Sequence, residues 1–340
     1  MEGTPFTASR SNLNPITYEK IITHNDFDGI VSASICARML RMERVIFTGP
    51  LTITKSQITI TEKDVVCDLP YPLQCGLWFD HHEGNYQELD YRKIDPKLIP
   101  GRFDLKPSCS RVVYEYFSER AELPSYFLMA VEEADVIDSF SYASIEEWRR
   151  ETPGKVIDWT LKVRFASTEE QVSHMKSLVQ QLRDGPMDEV SNLPFVQKRL
   201  KQYLEEEGKM LRVIQNASYF LEPDKLREMV IIDLTPYHRR PHLIKNLAFL
   251  LYPEALGVLE VYNLMDLGVK SNNLGVSMSL SINGNRQNHS KNIGDIMRTL
   301  NIGDGHPGAA AGTARCKSKQ EMLKKKKEIL NRIYELWSSQ

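Results

Sequence analysis

The chain has no C-x-x-C pair, no excess of charge of either sign, and no uninterrupted apolar run near the ~20 residues that a membrane-spanning helix needs. The last absence excludes a transmembrane helix. The near balance of 43 basic against 45 acidic side chains argues against a nucleic-acid binder with a globally basic surface, though a local basic groove stays open. Five cysteines, at 36, 67, 75, 109 and 316, are odd in number and widely spaced, which argues against a disulfide framework or a zinc finger. They read as small buried apolar residues in a reducing cytoplasm. The first 14 residues are polar and lack an apolar segment of the secretory kind, so a cytoplasmic location is expected.

What is present, 340 residues with 41% apolar and 26% charged side chains, suits a soluble globular protein of about two domains. The first third alternates short β-rich runs with helical spacing. Strands are expected at Tyr18 to Thr23, Val45 to Thr48, Asp64 to Cys67 and Gly76 to Phe79, with a helix from Gly29 to Met42. Runs such as Val65-Val66-Cys67 and Leu77-Trp78-Phe79 have no polar face, as in a parallel sheet covered by helices on both sides. Helices are expected to dominate from Ser110 to about Asn216. A second β-containing pattern follows at Met229 to Asp233, Gly257 to Tyr262 and Gly275 to Ile282, with helices at His242 to Leu251, Ile293 to Leu300 and Lys319 to Trp337. The organisation expected is a domain over 15–200, a linker helix over 201–217 and a smaller α/β domain over 218–340, with the active site in the cleft between them.

Three of the strand-like runs end in acidic and imidazole residues. Ile21-Ile22-Thr23 leads into His24-Asn25-Asp26-Phe27-Asp28-Gly29, Val65-Val66-Cys67 into Asp68, and Leu77-Trp78-Phe79 into Asp80-His81-His82. Taken singly, Asp28-Gly29 reads as a helix cap, Asp68 as a loop residue and the paired histidines as packed or exposed side chains. Together they lie where an open parallel sheet binds ligands, beyond the carboxyl ends of its strands. Carboxylates gathered there repel one another and lose their charge on burial unless a cation joins them. The donor set is carboxylate and imidazole without thiolate, which suits Mn²⁺, Mg²⁺ or Co²⁺, and it is large enough for two ions.

These motifs resemble those of the DHH phosphoesterase family, which is named for a segment like Asp80-His81-His82. A downstream helical aspartate belongs to the family pattern, and Glu132-Glu133-Ala134-Asp135-Val136-Ile137-Asp138 fits it; Asp135 is the choice, with Asp138 left open. Far along the chain, Gly303-Asp304-Gly305-His306-Pro307-Gly308-Ala309-Ala310-Ala311-Gly312 resembles the glycine-rich motif of the domain that accompanies DHH domains in RecJ-like, nano-RNase and exopolyphosphatase-related proteins. It departs at Asp304, which replaces the middle glycine, and by an extra alanine before Gly312. The resemblance implies that His24 and Asp26 hold one divalent ion, that Asp28, His81 and Asp135 hold the other, and that Asp68 bridges them. It further implies that His82 contacts the scissile phosphate or leaving oxygen and that Asp80 orients a histidine. Gly305, His306 and Gly308 would hold the rest of the substrate. Arg111, near a helix N-terminus, is a further candidate for binding phosphate.

The function so implied is two-metal hydrolysis, with Mn²⁺ the favoured ion, of short single-stranded oligonucleotides or 3′,5′-bisphosphorylated nucleosides. The alternatives are an exopolyphosphatase and a catalytically silent relative that binds phosphate or nucleic acid. No membrane partner is expected, and homodimerisation stays open.

Overall fold

Five short strands, β1 (Lys20–Thr23), β2 (Val45–Phe47), β3 (Asp64–Cys67), β4 (Leu77–Asp80) and β5 (Gly101–Phe103), form one sheet in the order β2-β1-β3-β4-β5. Every pairing is parallel, with Thr23 opposite Cys67 and Cys67 opposite Phe79. The computed structural model describes residues 17–282 and 291–340. β3 and β4 are buried along their whole length, the burial that their unbroken apolar runs predict. One face carries Ile22, Val66, Leu69 and Trp78, packed with Ile53, Leu89 and Ile99. The strand order reverses between β1 and β3, and such a switch point opens a crevice at the carboxyl ends of the two strands.

The helix after β1, Phe27–Leu40, starts two residues before the expected Gly29, because Asp26 caps it by accepting the Gly29 N–H. Three further helices begin with a serine whose side chain accepts the amide of a glutamate three residues on: Ser144 with Glu147, Ser167 with Glu170, and Ser318 with Glu321. The helix Pro194–Ala217 buries Val196, Leu200, Tyr203, Met210 and Ile214 along one stripe.

Internal contacts divide the chain into two units. One runs to Ser139 and includes Ala166–Val190; the other joins Phe140–Phe165 to the chain from Ser191 onward, so the Pro194–Ala217 helix lies wholly in the second. The second unit is built on a mixed sheet. Its strands are β6 (Ser218–Tyr219), β7 (Met229–Asp233), β8 (Gly257–Asp266), β9 (Val269–Leu280), β10 (Gly303–His306) and β11 (Ala309–Ala314). Their order is β10-β11-β9-β8-β7-β6, with only the β7–β8 pairing parallel. Leu259, Val261, Val276 and Met278 meet Ile296, Ile333 and Trp337 in its core.

Several elements differ from the expectation. β8 and β9 extend into a long hairpin, turned by Leu267 and Gly268, both with positive φ, as a two-residue turn of this hand requires. The helix expected from His242 shrinks to Ala248–Leu251, and Pro253 follows its end at once. The glycine-rich segment from Gly303 to Gly312 is the β10–β11 hairpin at the sheet edge. The four buried cysteines and the half-buried Cys316 are all free thiols, in line with the composition. Among the described residues, no helix is long and apolar enough to cross a membrane.

Gly29 joins fold to site. A Cβ there would fall 2.4 Å from the His24 carbonyl oxygen, so only glycine lets the helix start lie against the end of β1. Gly29→Ala is expected to cost about 1–3 kcal/mol, read as a lower melting temperature, and to weaken metal binding by displacing His24.

Candidate metal centre

Asp68 is the residue around which the other site groups gather. It directly follows β3, takes a left-handed backbone conformation (φ 58°) and donates its N–H to the Phe79 carbonyl, which locks it between β3 and β4. Its side chain is buried, and neither carboxylate oxygen has a hydrogen-bond partner. Three imidazoles surround it: His24 Nδ1 at 3.6 Å, His81 Nε2 at 3.7 Å and His82 Nδ1 at 3.8 Å. These gaps are too long for hydrogen bonds. A buried, unpartnered carboxylate is costly, and a cation is the group that would satisfy it.

The neighbouring groups are each held in place by hydrogen bonds beside the cluster. Asp26 uses one oxygen to cap its helix and sets the other 2.5 Å from His24 Nδ1. Asp28 is buried, and its two oxygens accept the N–H groups of Cys109 (2.7 Å) and Ser110 (2.8 Å), the first residues of the helix Cys109–Ser118. The positive end of that helix therefore supports a ligand carboxylate. His81 Nδ1 lies 3.0 Å from the Lys106 carbonyl, an acceptor that fixes the proton on Nδ1. His81 Nε2, buried and without a hydrogen bond, then faces Asp138 (3.4 Å), Asp68 (3.7 Å) and Asp28 (4.0 Å). These are the attributes of a metal-ligating histidine: a lone pair aimed at acids and the other nitrogen anchored on a carbonyl.

Three overlapping groups place their ligand atoms within 4.8 Å of one another: His24, Asp26 and Asp68; Asp68, His81 and His82; Asp28, His81 and Asp138. Asp68 belongs to two of them. The arrangement therefore offers two adjacent cation positions with Asp68 between them.

Of the acids on helix Tyr126–Asp138, the structure brings Asp138, not Asp135, to the cluster. The two lie on one face three residues apart. Asp135, a turn upstream, accepts the Ser108 hydroxyl (2.6 Å) and pairs with Arg111 through Nε (2.9 Å) and Nη2 (2.6 Å). Arg111 is thus committed to Asp135. The helix end offered to phosphate is also taken, by Asp28 and by the Ser108 cap that accepts the Arg111 N–H. Asp80 is fully buried and accepts from His82 Nδ1 (2.9 Å) and Asn85 Nδ2 (2.6 Å). Its contact with His82 anchors that ring through Nδ1. Asn85 and the Lys106 carbonyl were not singled out from sequence; a side-chain amide one helical turn past the histidine pair was the available signal for the first.

The proton affinities follow from this crowding. Burial opposes a charge on His24, but the bond to Asp26 and the nearby charge of Asp68 lift it to about 10; burial likewise opposes His81, and the charges of Asp68, Asp28 and Asp138 lift it to about 10. Burial, then the charges of Asp68 and Asp26, raises Asp138 to about 6, and burial with Asp68 and Asp138 pushes Asp28 well up. Burial also opposes a charge on His82, which Asp80 nonetheless raises. Without a cation, protons hold the cluster together.

Within the second unit, Gly305 and His306 lie on β10, and Gly308 in the turn to β11. A Cβ on Gly303 would fall 2.0 Å from the Ala311 carbonyl oxygen, and one on Gly305 2.4 Å from that of Ala309, so both glycines serve close pairing of the hairpin. Asp304 is neutralised by Arg298, 2.5 Å away, and His306 is exposed.

No family model matches the chain, and no curated protein matches it. Solved structures do. A pGpG-specific phosphodiesterase, PggH, from Vibrio cholerae superposes with a TM-score of 0.69 at 21% identity, over 93% of this chain and 99% of that one. RecJ from Thermus thermophilus in complex with Mn²⁺ matches with a TM-score of 0.56 at 13% identity, over 96% of this chain and 53% of that one. A manganese-bound exonuclease RecJ gives 0.51 at 11%, over 96% and 91%. The fold is therefore one that this chain shares with these proteins.

Two outcomes are expected from titration calorimetry with Mn²⁺. Asp138→Asn should weaken binding at least about 10-fold, whereas Asp135→Asn should keep it and lose stability instead. Because His24 and His81 hold protons up to about pH 10, the ion must displace them; affinity should rise from about pH 6 to about pH 8 with proton release.

Proposed function

We propose that the protein is a divalent-metal-dependent phosphohydrolase that cleaves phosphoester bonds of short oligonucleotides or phosphorylated nucleosides. The observation that carries this is Asp68, buried with both oxygens unpartnered among three imidazoles and three further aspartates. We assign His24 and Asp26 to one ion, Asp28, His81 and Asp138 to the other, and Asp68 to both. The donors, carboxylates joined by imidazoles and without thiolate, suit Mn²⁺, Mg²⁺ or Co²⁺, and Mn²⁺ is the ion we assign. When bound, two such ions acidify a water and neutralise phosphoryl oxygens.

The chain's own residues supply the rest. Asp80, fixed by Asn85, holds the His82 ring through Nδ1 and thereby sets its tautomer. Half of the His82 side chain is open to solvent, so its other nitrogen is available to the scissile phosphate or to the leaving oxygen as a proton donor. His81, anchored on Lys106, faces the acids instead, and the two adjacent histidines have different roles. In the second unit, Gly305, His306 and Gly308 are assigned to the remainder of the substrate. Asp304 does not oppose a phosphate there, because Arg298 holds its charge.

The likeness to a phosphodiesterase specific for pGpG supports a dinucleotide-sized substrate. A panel of pGpG, short RNA, 3′,5′-bisphosphorylated nucleosides and polyphosphate, assayed with Mn²⁺, is expected to show turnover highest on dinucleotides. Chelation should abolish it. His82→Ala should retain Mn²⁺ while kcat falls about 10²–10⁴-fold. Phosphate release from polyphosphate alone, or no metal-dependent turnover of any phosphoester, would overturn the proposal.

A further inference from the structure

Beside the metal centre the first unit carries an aromatic groove that none of the assigned roles uses. Its volume is about 430 Å³, and Tyr86, Phe103 and Leu105 line it, with the exposed Lys97 at its rim. The size lies within the ~300–1,000 Å³ of small-molecule sites. Trp78, Phe103 and Tyr86 form a stack: Phe103 lies 5.6 Å from Trp78 at 16°, and Tyr86 lies 5.6 Å from Phe103 at 23°. Trp78 is buried in the core, whereas Tyr86 at the outer end is 44% exposed and Leu105 60% exposed.

Two segments that line the groove are tied to the paired histidines. Tyr86 stands one helical turn after His82 and donates its N–H to the His82 carbonyl. A second lining segment starts at Phe103, on which Tyr86 stacks, and leads to Lys106, whose carbonyl anchors His81; along it Asp104 donates its N–H to the Asp80 carbonyl. β5 is an edge strand. Trp78 donates to Pro100 and Asp104 donates to Asp80, so the backbone of the alternate residues, Gly101 and Phe103, turns away from β4. An amide and a carbonyl of the edge strand thus accompany the aromatic rings.

We propose that this groove is a nucleobase subsite: a base flanking the scissile phosphate stacks on Tyr86, with Leu105 along its side and the edge-strand backbone available to its polar rim. The proposal rests on the phosphohydrolase reading and deepens it. A flat aromatic face explains a preference for nucleotides over polyphosphate, because every base has a π-face and polyphosphate has none. Lys97 adds positive charge at the rim for the backbone of the same substrate.

The test uses dinucleotides carrying 2-aminopurine, whose fluorescence falls on stacking, and an abasic dinucleotide of the same length. Binding and Mn²⁺-dependent hydrolysis are measured for wild type, Tyr86→Ala and Tyr86→Phe, with melting curves to confirm folding. Wild type should quench the probe. Tyr86→Ala should raise Kd and KM roughly 5- to 100-fold on the base-bearing dinucleotide and change them less than about twofold on the abasic one. Tyr86→Phe should behave as wild type. Equal affinities of wild type and Tyr86→Ala, or equal losses on both substrates, would overturn the subsite. If wild type hydrolyses the dinucleotide while Tyr86→Ala is unaltered, the subsite fails and the hydrolase stands. If the Tyr86-dependent quench persists without turnover of any phosphoester, the subsite stands and the hydrolase fails.

Discussion

Mutual repulsion among Asp26, Asp28, Asp68 and Asp138 is the constraint on which the first unit turns. Two of these acids are buried, and Asp68 has no hydrogen bond to either oxygen. Left alone, such a buried group destabilises the fold. The surrounding structure bears the strain piecewise. A helix N-terminus supports Asp28, a capping bond supports Asp26, and carbonyls and carboxylates fix the imidazoles. What remains unsatisfied is concentrated at one place between β1, β3 and β4, where a cation would complete the set.

The topology makes that place inevitable once the strands are laid down. In the order β2-β1-β3-β4-β5 the chain leaves β1 and β3 in opposite directions, and a crevice opens at their carboxyl ends. His24 and Asp68 are the first residues past those strands, and His81 is the first past β4. Short strands suffice because the central β3 and β4 are buried along their whole length, and their apolar residues hold the rim of acids in register.

Much of this was legible in the sequence because it depends on local pattern. Apolar runs ending in Asp or His mark both the strand and its carboxyl end, which places the ligands without knowledge of the helices. The choice between Asp135 and Asp138 was not legible in that way. The two share a helix face, and what separates them is Arg111 from another helix, a partner set only by tertiary packing. For the same reason the N-terminus at Cys109 looked free for phosphate, although Asp28, 81 residues earlier, occupies it. β5, with only three residues and a glycine at φ 114°, has too little pattern to be read, and the aromatic stack that depends on it is equally hidden. In the Gly303–Gly312 segment the motif does not announce a hairpin, whose close pairing at Gly303 and Gly305 only the folded strands reveal.

The central claim is that two cations share Asp68. Anomalous diffraction at the manganese edge from crystals grown with Mn²⁺ tests it most directly. Two peaks are predicted, one among His24, Asp26 and Asp68 and the other among Asp28, Asp68, His81 and Asp138, with Asp135 still on Arg111. A single peak, peaks that leave Asp68 without a cation, or no manganese at the ends of β1, β3 and β4 would contradict the account.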